Sequence, residues 1–111
     1  MKSNLPRLVS LVFLGCLIPL AASGAEKIRV LVVTGGHDFE TNQFFQVFKD
    51  NPAITFQTVN HPDAHAWLKT DKAAQYDVLV LYDLWQNISD EAKADLTARL
   101  KEGKGLVSLH H

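Results

Sequence analysis

Four short apolar blocks punctuate the chain, and polar stretches with helical periodicity lie between them. The first block, Ile28 to Thr34, is β-branched or apolar at nearly every position. That is the pattern of a central parallel strand covered on both faces. Gly35-Gly36 breaks it, and Asp38 to Lys49 then predicts a helix with Phe44, Val47 and Phe48 on one face at i, i+3, i+4 spacing. Asp50-Asn51-Pro52 stops that helix. Ile54 to Val59 alternates apolar and polar residues and predicts a second strand nearer an edge. Asn60 to Lys72 reads as a loop with a short helix near Ala64 to Leu68. Tyr76 to Tyr82 predicts another buried strand. Ser89 is a good N-cap, and Asp90 and Glu91 favour the positive end of the helix it opens. That helix carries Ala92, Leu96 and Leu100 at four-residue spacing, and Gly103 closes it. Gly105 to Leu109 starts a fourth strand. Such strand–helix alternation predicts the α/β class: a flavodoxin-like or Rossmann-like parallel sheet, wound right-handed, with helices on both faces.

The first 25 residues read as targeting rather than fold. Lys2 and Arg7 form a short positive region, Leu8 to Leu20 an apolar run, and Ala21, Ala22, Ser23, Gly24 and Ala25 a small-residue exit. This order predicts a secretory signal cleaved after Ala25, and export to the periplasm or beyond. The apolar run is shorter than the about 20 residues a membrane span needs, so no stable membrane anchor is expected after cleavage. Cys16 is the only cysteine. Leu14-Gly15-Cys16 partly resembles a lipobox, but Phe13-Leu14 suits that motif poorly and the apolar run continues past the cysteine; the alternative is an apolar residue of the signal. Residues 26–111 then carry no cysteine, hence no disulfide, thiolate metal site or cysteine nucleophile. Losing Lys2 and Arg7 leaves 9 basic against 12 acidic residues. Without a basic patch, nucleic acid is not an expected partner.

Candidate chemistry gathers where strands end. In an open α/β sheet ligands bind beyond the carboxyl ends of the strands. Those ends are Gly35-Gly36-His37-Asp38, Asn60-His61, Tyr82-Asp83-Leu84-Trp85 and Ser108-Leu109-His110-His111. Four of the five histidines fall there, His65 being the exception. Gly35-Gly36 permits a tight turn, whose amides either hold an anion or sugar oxygen or simply lead into a helix capped by Asp38. It lacks the glycine spacing of a dinucleotide fingerprint and the Gly-Lys-Ser/Thr of a phosphate loop, so no cofactor is named. His37 suits acid/base work near neutral pH, or is a plain turn histidine. His110 and His111 are adjacent, so on a continuing strand at most one faces a cleft. His37, His61 and one of that pair have the donor chemistry for a metal, but nothing brings them together in sequence and no metal site is assigned. Tyr82, Asp83 and Trp85 combine aromatic faces with a carboxylate, suited to a sugar or to ordinary packing at a strand end. Ser108 lacks the Gly-x-Ser-x-Gly elbow of a serine hydrolase.

Three segments together resemble the trehalose-utilisation (ThuA-like) family, which shares the fold of class I glutamine amidotransferases. They are Val30-Leu31-Val32-Val33-Thr34-Gly35-Gly36-His37, Tyr76-Asp77-Val78-Leu79-Val80, and Gly103-Lys104-Gly105-Leu106-Val107-Ser108-Leu109-His110-His111. The resemblance runs from about Lys27 to the last residue and covers roughly the first half of a family domain. The expectation is therefore a truncated domain, short of stability by itself. The resemblance implies a role in the use of trehalose or a related sugar, with a small carbohydrate as ligand. True amidotransferases place a cysteine on the turn where this chain has His110-His111, so cysteine-dependent glutamine hydrolysis is not expected. The candidate catalytic residues are His37, His110 and His111, and the candidate ligand contacts Gly35, Gly36, Asp38, His61, Asp83 and Trp85. Whether the chain is an enzyme stays open: the second reading is a sugar-binding module without catalysis. A usual glycosidase needs two carboxylates across the bond, and no spacing in the sequence sets the separation of Asp38 and Asp83.

Overall fold

A computed structural model describes residues 24–110. The candidate signal up to Ser23, with Cys16, and His111 lie outside the described residues. The elements run β1 (Ile28–Gly35), α1 (Thr41–Lys49), β2 (Ile54–Asn60), α2 (Ala64–Trp67), α3 (Thr70–Ala73), β3 (Val78–Asp83), α4 (Asp90–Lys101) and β4 (Gly105–Ser108). All strand pairings are parallel and the sheet order is β2-β1-β3-β4. This is a flavodoxin-like α/β arrangement: the chain steps outward from β1 to β2, crosses back over β1 to β3, and continues to β4. The α/β class is as the strand–helix alternation predicts.

β1 is central because both its faces are apolar. Val30 and Val32, with Val80 of β3, pack against Phe44, Phe45 and Phe48 of α1 on one side. Leu31, Val33 and Leu79 face the other side, where Ala64, Leu68, Ala73, Tyr76 and Ala92 cover them. The sheet therefore lies between α1 on one face and α2, α3 and α4 on the other. β2 lies at an edge, as its alternating pattern predicts.

Several boundaries move. The first helix begins at Thr41, not Asp38. Its apolar face is Phe44, Phe45 and Phe48, while Val47 stands 69% exposed. At about 100° per residue, Val47 lies about 60° to one side of Phe44, whereas Phe45 and Phe48 lie to the other. On α4 the same geometry replaces Leu100 with Arg99. Leu100 is 37% exposed and Arg99 only 4%. Seven residues bring Arg99 within about 20° of Ala92, but eight carry Leu100 about 80° past it. Arg99 is accommodated because its guanidinium donates to the Leu68 carbonyl and Thr70 hydroxyl and pairs with Glu102 at 2.6 Å. The third strand begins at Val78; Tyr76 precedes it as a core residue whose hydroxyl donates to the Trp67 carbonyl at 2.9 Å.

At the amino edge of the sheet, Asp77 accepts from the Arg29 backbone N–H at 2.9 Å and from its guanidinium at 2.8 Å. These bonds hold the Asp77 carboxyl down at about 2, against an ordinary 3.8. They tie the first turns of β1 and β3 together at the edge opposite the candidate site.

Candidate functional site

Side-chain alternation divides the carboxyl edge into two rims. β1, β2 and β3 alternate their side chains across the sheet, so Thr34, Asn60 and Tyr82 follow the α1 face while His61 and Asp83 follow the other.

On the rim away from α1, His61 Nε2 donates to Asp83 Oδ2 at 2.6 Å. β2 and β3 are not neighbours, since β1 lies between them. The two side chains meet because β1 ends there in Gly35. A Cβ on Gly35 would stand 3.2 Å from both the Cβ and the backbone nitrogen of His61. The missing side chain is what lets His61 pass over the end of the central strand. Trp85 stacks flat on the imidazole, with ring centroids 5.6 Å apart and planes within 4°. His65 meets the same ring edge-on at 5.3 Å. The His61 side chain is left 8% exposed and that of Asp83 21%. His61 Nδ1 and His65 Nε2 are buried and make no hydrogen bond among the described residues.

On the α1 rim, His37 sits against Tyr82 edge-on at 4.7 Å and near Phe39 at 5.5 Å. Its Nε2 lies 3.2 Å from the Tyr82 carbonyl and its Nδ1 3.1 Å from the Asp38 carbonyl. Tyr82 stacks on Phe44 at 4.6 Å, which extends the aromatic cluster into the core beneath α1. Thr34, buried at the end of β1, donates its hydroxyl to the Asn60 carboxamide oxygen. Thr34, Thr41, Thr58 and Asn60, with Phe39, Phe45 and Val59, line a crevice of about 240 Å³.

The two glycines serve packing rather than a helix start. Gly36 adopts φ +87°, and a Cβ there would stand 2.6 Å from the Leu84 carbonyl carbon. Leu84 N donates to the Gly35 carbonyl at 2.9 Å, so the loops after β1 and β3 press together where the winding reverses. The amides of Gly35 and Gly36 do not enter a helix, because α1 starts five residues further on at Thr41. Asp38 is exposed and does not cap it: Glu40 holds the cap position, without a side-chain cap bond.

His110 follows β4, and Leu109 N still bonds to the Leu81 carbonyl at 2.8 Å. β1 and β4 are not neighbours, since β3 lies between them. Two steps across the sheet separate their backbones by about 10 Å. His37 and His110 thus share the edge without sharing adjacent strands.

Of the candidate ligand residues, the structure joins His61, Asp83 and Trp85 into one contact group. His65 belongs to it too and escaped the sequence reading because it sits past the strand end, on α2. Phe39, Thr41, Phe45 and Thr58 were also missed. Threonines and phenylalanines carry no distinctive spacing, and only the fold of β1, β2 and α1 sets them around one crevice. Among the described residues no group of three or more His, Cys, Asp or Glu is placed to hold a metal ion, and no helix is long and apolar enough to cross a membrane. Set against protein-family models, curated proteins and solved structures, the chain matches none.

Proposed function

We propose that the chain is an exported ThuA-like domain protein that takes part in the use of a small carbohydrate, trehalose or a related sugar, bound at the carboxyl edge of the sheet. The observation that carries this reading is the gathering of Gly35, Gly36, His37, His61, Asp83 and Trp85 on that edge, where open α/β sheets bind their ligands. The aromatic faces, hydroxyls and carboxylate there suit a sugar's C–H faces and hydroxyls. The family resemblance carried by the three sequence segments supplies the sugar context.

A second reading, recognition without catalysis, is favoured by the state of the imidazoles. His61 has one nitrogen held by Asp83 and the other buried. Both nitrogens of His37 lie within hydrogen-bond distance of backbone carbonyls. A general base needs a nitrogen within reach of the proton it removes. Calorimetric titration of the full chain with trehalose and with glucose, followed by product analysis of the same mixtures, tests both readings. Binding with turnover supports the enzyme; binding without it supports the recognition module; no heat with either sugar overturns the carbohydrate reading. Export has its own test. N-terminal sequencing of secreted material is expected to begin at Glu26, and a retained Met1 or a lipid on Cys16 would sink that part.

A further inference from the structure

We infer that the crevice between the ends of β1 and β2 and the start of α1 is a binding site for a small uncharged ring compound bearing hydroxyl groups. The inference rests on the carboxyl edge being the ligand edge, and adds where on it a ligand sits and what chemistry it must have. None of the crevice residues belongs to the His61–Asp83–Trp85 group, which stands on the other rim.

The wall chemistry selects the ligand. Thr34, Thr41 and Thr58 supply hydroxyls, and Asn60 a carboxamide, each able to donate and accept. Phe39 and Phe45 supply apolar faces, and no lining residue carries a charge. An ionised ligand would lose water there without gaining a counter-charge, so it binds more weakly than an uncharged one. An uncharged ring can lay C–H groups on the phenyl faces and direct hydroxyls at the threonines. Thr34 is the anchor. It is a buried residue on the crevice wall and its hydroxyl is oriented by Asn60, so its geometry is set before a ligand arrives. The volume, about 240 Å³, falls below the about 300–1,000 Å³ of clefts for drug-sized molecules and points to a single ring.

Backbone amide chemical shifts of the full chain, followed while D-glucose, cyclohexane-1,2-diol or D-glucuronate is added, test the site. Glucose and the diol are expected to move the amides of Thr34, Thr41, Thr58 and Asn60, with glucuronate at least tenfold weaker. Thr34→Val keeps the volume and removes the hydroxyl, while Asn60→Ala, at an exposed position, removes its partner without disturbing the core. Each is expected to weaken glucose about tenfold, the size of one lost hydrogen bond, and Lys101→Ala, on the exposed end of α4, to leave it unchanged. If glucose moves the amides of Asp83 and Trp85 but not the crevice, the crevice falls and the carbohydrate reading stands. If the diol fills the crevice and glucose moves nothing, the crevice stands and the carbohydrate reading falls. Glucuronate binding as tightly as glucose, or wild-type affinity in both variants, overturns the inference. Silence with all three compounds overturns both.

Discussion

Gly36 shows how much one missing side chain decides here. Its φ of +87° is a region L-residues rarely adopt, and the Leu84 backbone occupies the space of a Cβ. Gly36→Ala is expected to destabilise the fold by about 1–3 kcal/mol, read as a lowered thermal midpoint by circular dichroism. An unchanged midpoint would mean that the two loops are not pressed together. At the other edge, the Asp77 carboxyl titrates at about 2 in the fold against an ordinary 3.8. A depressed carboxyl stabilises the fold above its unfolded value and loses that contribution as pH falls through its folded value. The Arg29–Asp77 contribution is therefore complete above pH 4 and fades towards pH 2, and Asp77→Asn should flatten that part of a stability–pH curve. Because both side chains are nearly half exposed, solvent screens the pair and the change is small. An identical acid limb in wild type and variant would refute the assignment.

At the scale of elements, local chemistry is legible where it acts within a few residues. Ser89 accepts from the Ala92 N–H at 3.0 Å, as its place before Asp90-Glu91 predicts. Ser89→Ala should cost about 1 kcal/mol of stability by thermal or denaturant unfolding, and no change would show the cap idle. The hydrophobic pattern located all four strands, continuous apolar runs marking the central β1 and β3 and alternation marking the edge strand β2. Boundaries and faces were less legible. Val47 and Leu100 are apolar yet exposed, and Arg99 is charged yet buried. Sequence spacing counts residues in whole numbers, while a helix turns in steps of about 100°, so small mismatches rotate a residue off its face. Arg99 is buried because its partners, Leu68 and Thr70, come from another element. Nothing near position 99 announces them.

For the whole molecule, the sheet is protected unevenly. Leu79 and Val80 lie in the interior, whereas Leu106 and Val107 of β4 remain 45% and 44% exposed. Hydrogen exchange should accordingly be faster in Gly105–Ser108 than in β1 and β3, since edge strands with solvent-exposed bonds open locally first. Equal protection in β4 and β1 would contradict this gradient. The same exposed edge predicts concentration-dependent association, measurable by light scattering, and a chain that stays monomeric at high concentration would count against it.

By itself the sequence determined the class and the edge on which the candidate residues stand. A strand buried on both faces must be apolar at successive positions, and strand–helix alternation forces parallel pairing, which sends every carboxyl end to one edge. That alone puts His37, His61, Asp83 and Trp85 on one edge. Only the tertiary structure decided which of them touch. Strand order is a choice among crossovers that no local pattern encodes; it set β3 between β1 and β4 and let His61 reach Asp83 across Gly35. Alternation lapses past the end of β1 at Gly36, whose φ is +87°, so His37 lies against Tyr82 on the α1 rim, apart from His61, and loop packing brought in His65 and Trp85. Such contacts join residues far apart in sequence, and their energies exist only once the sheet has formed.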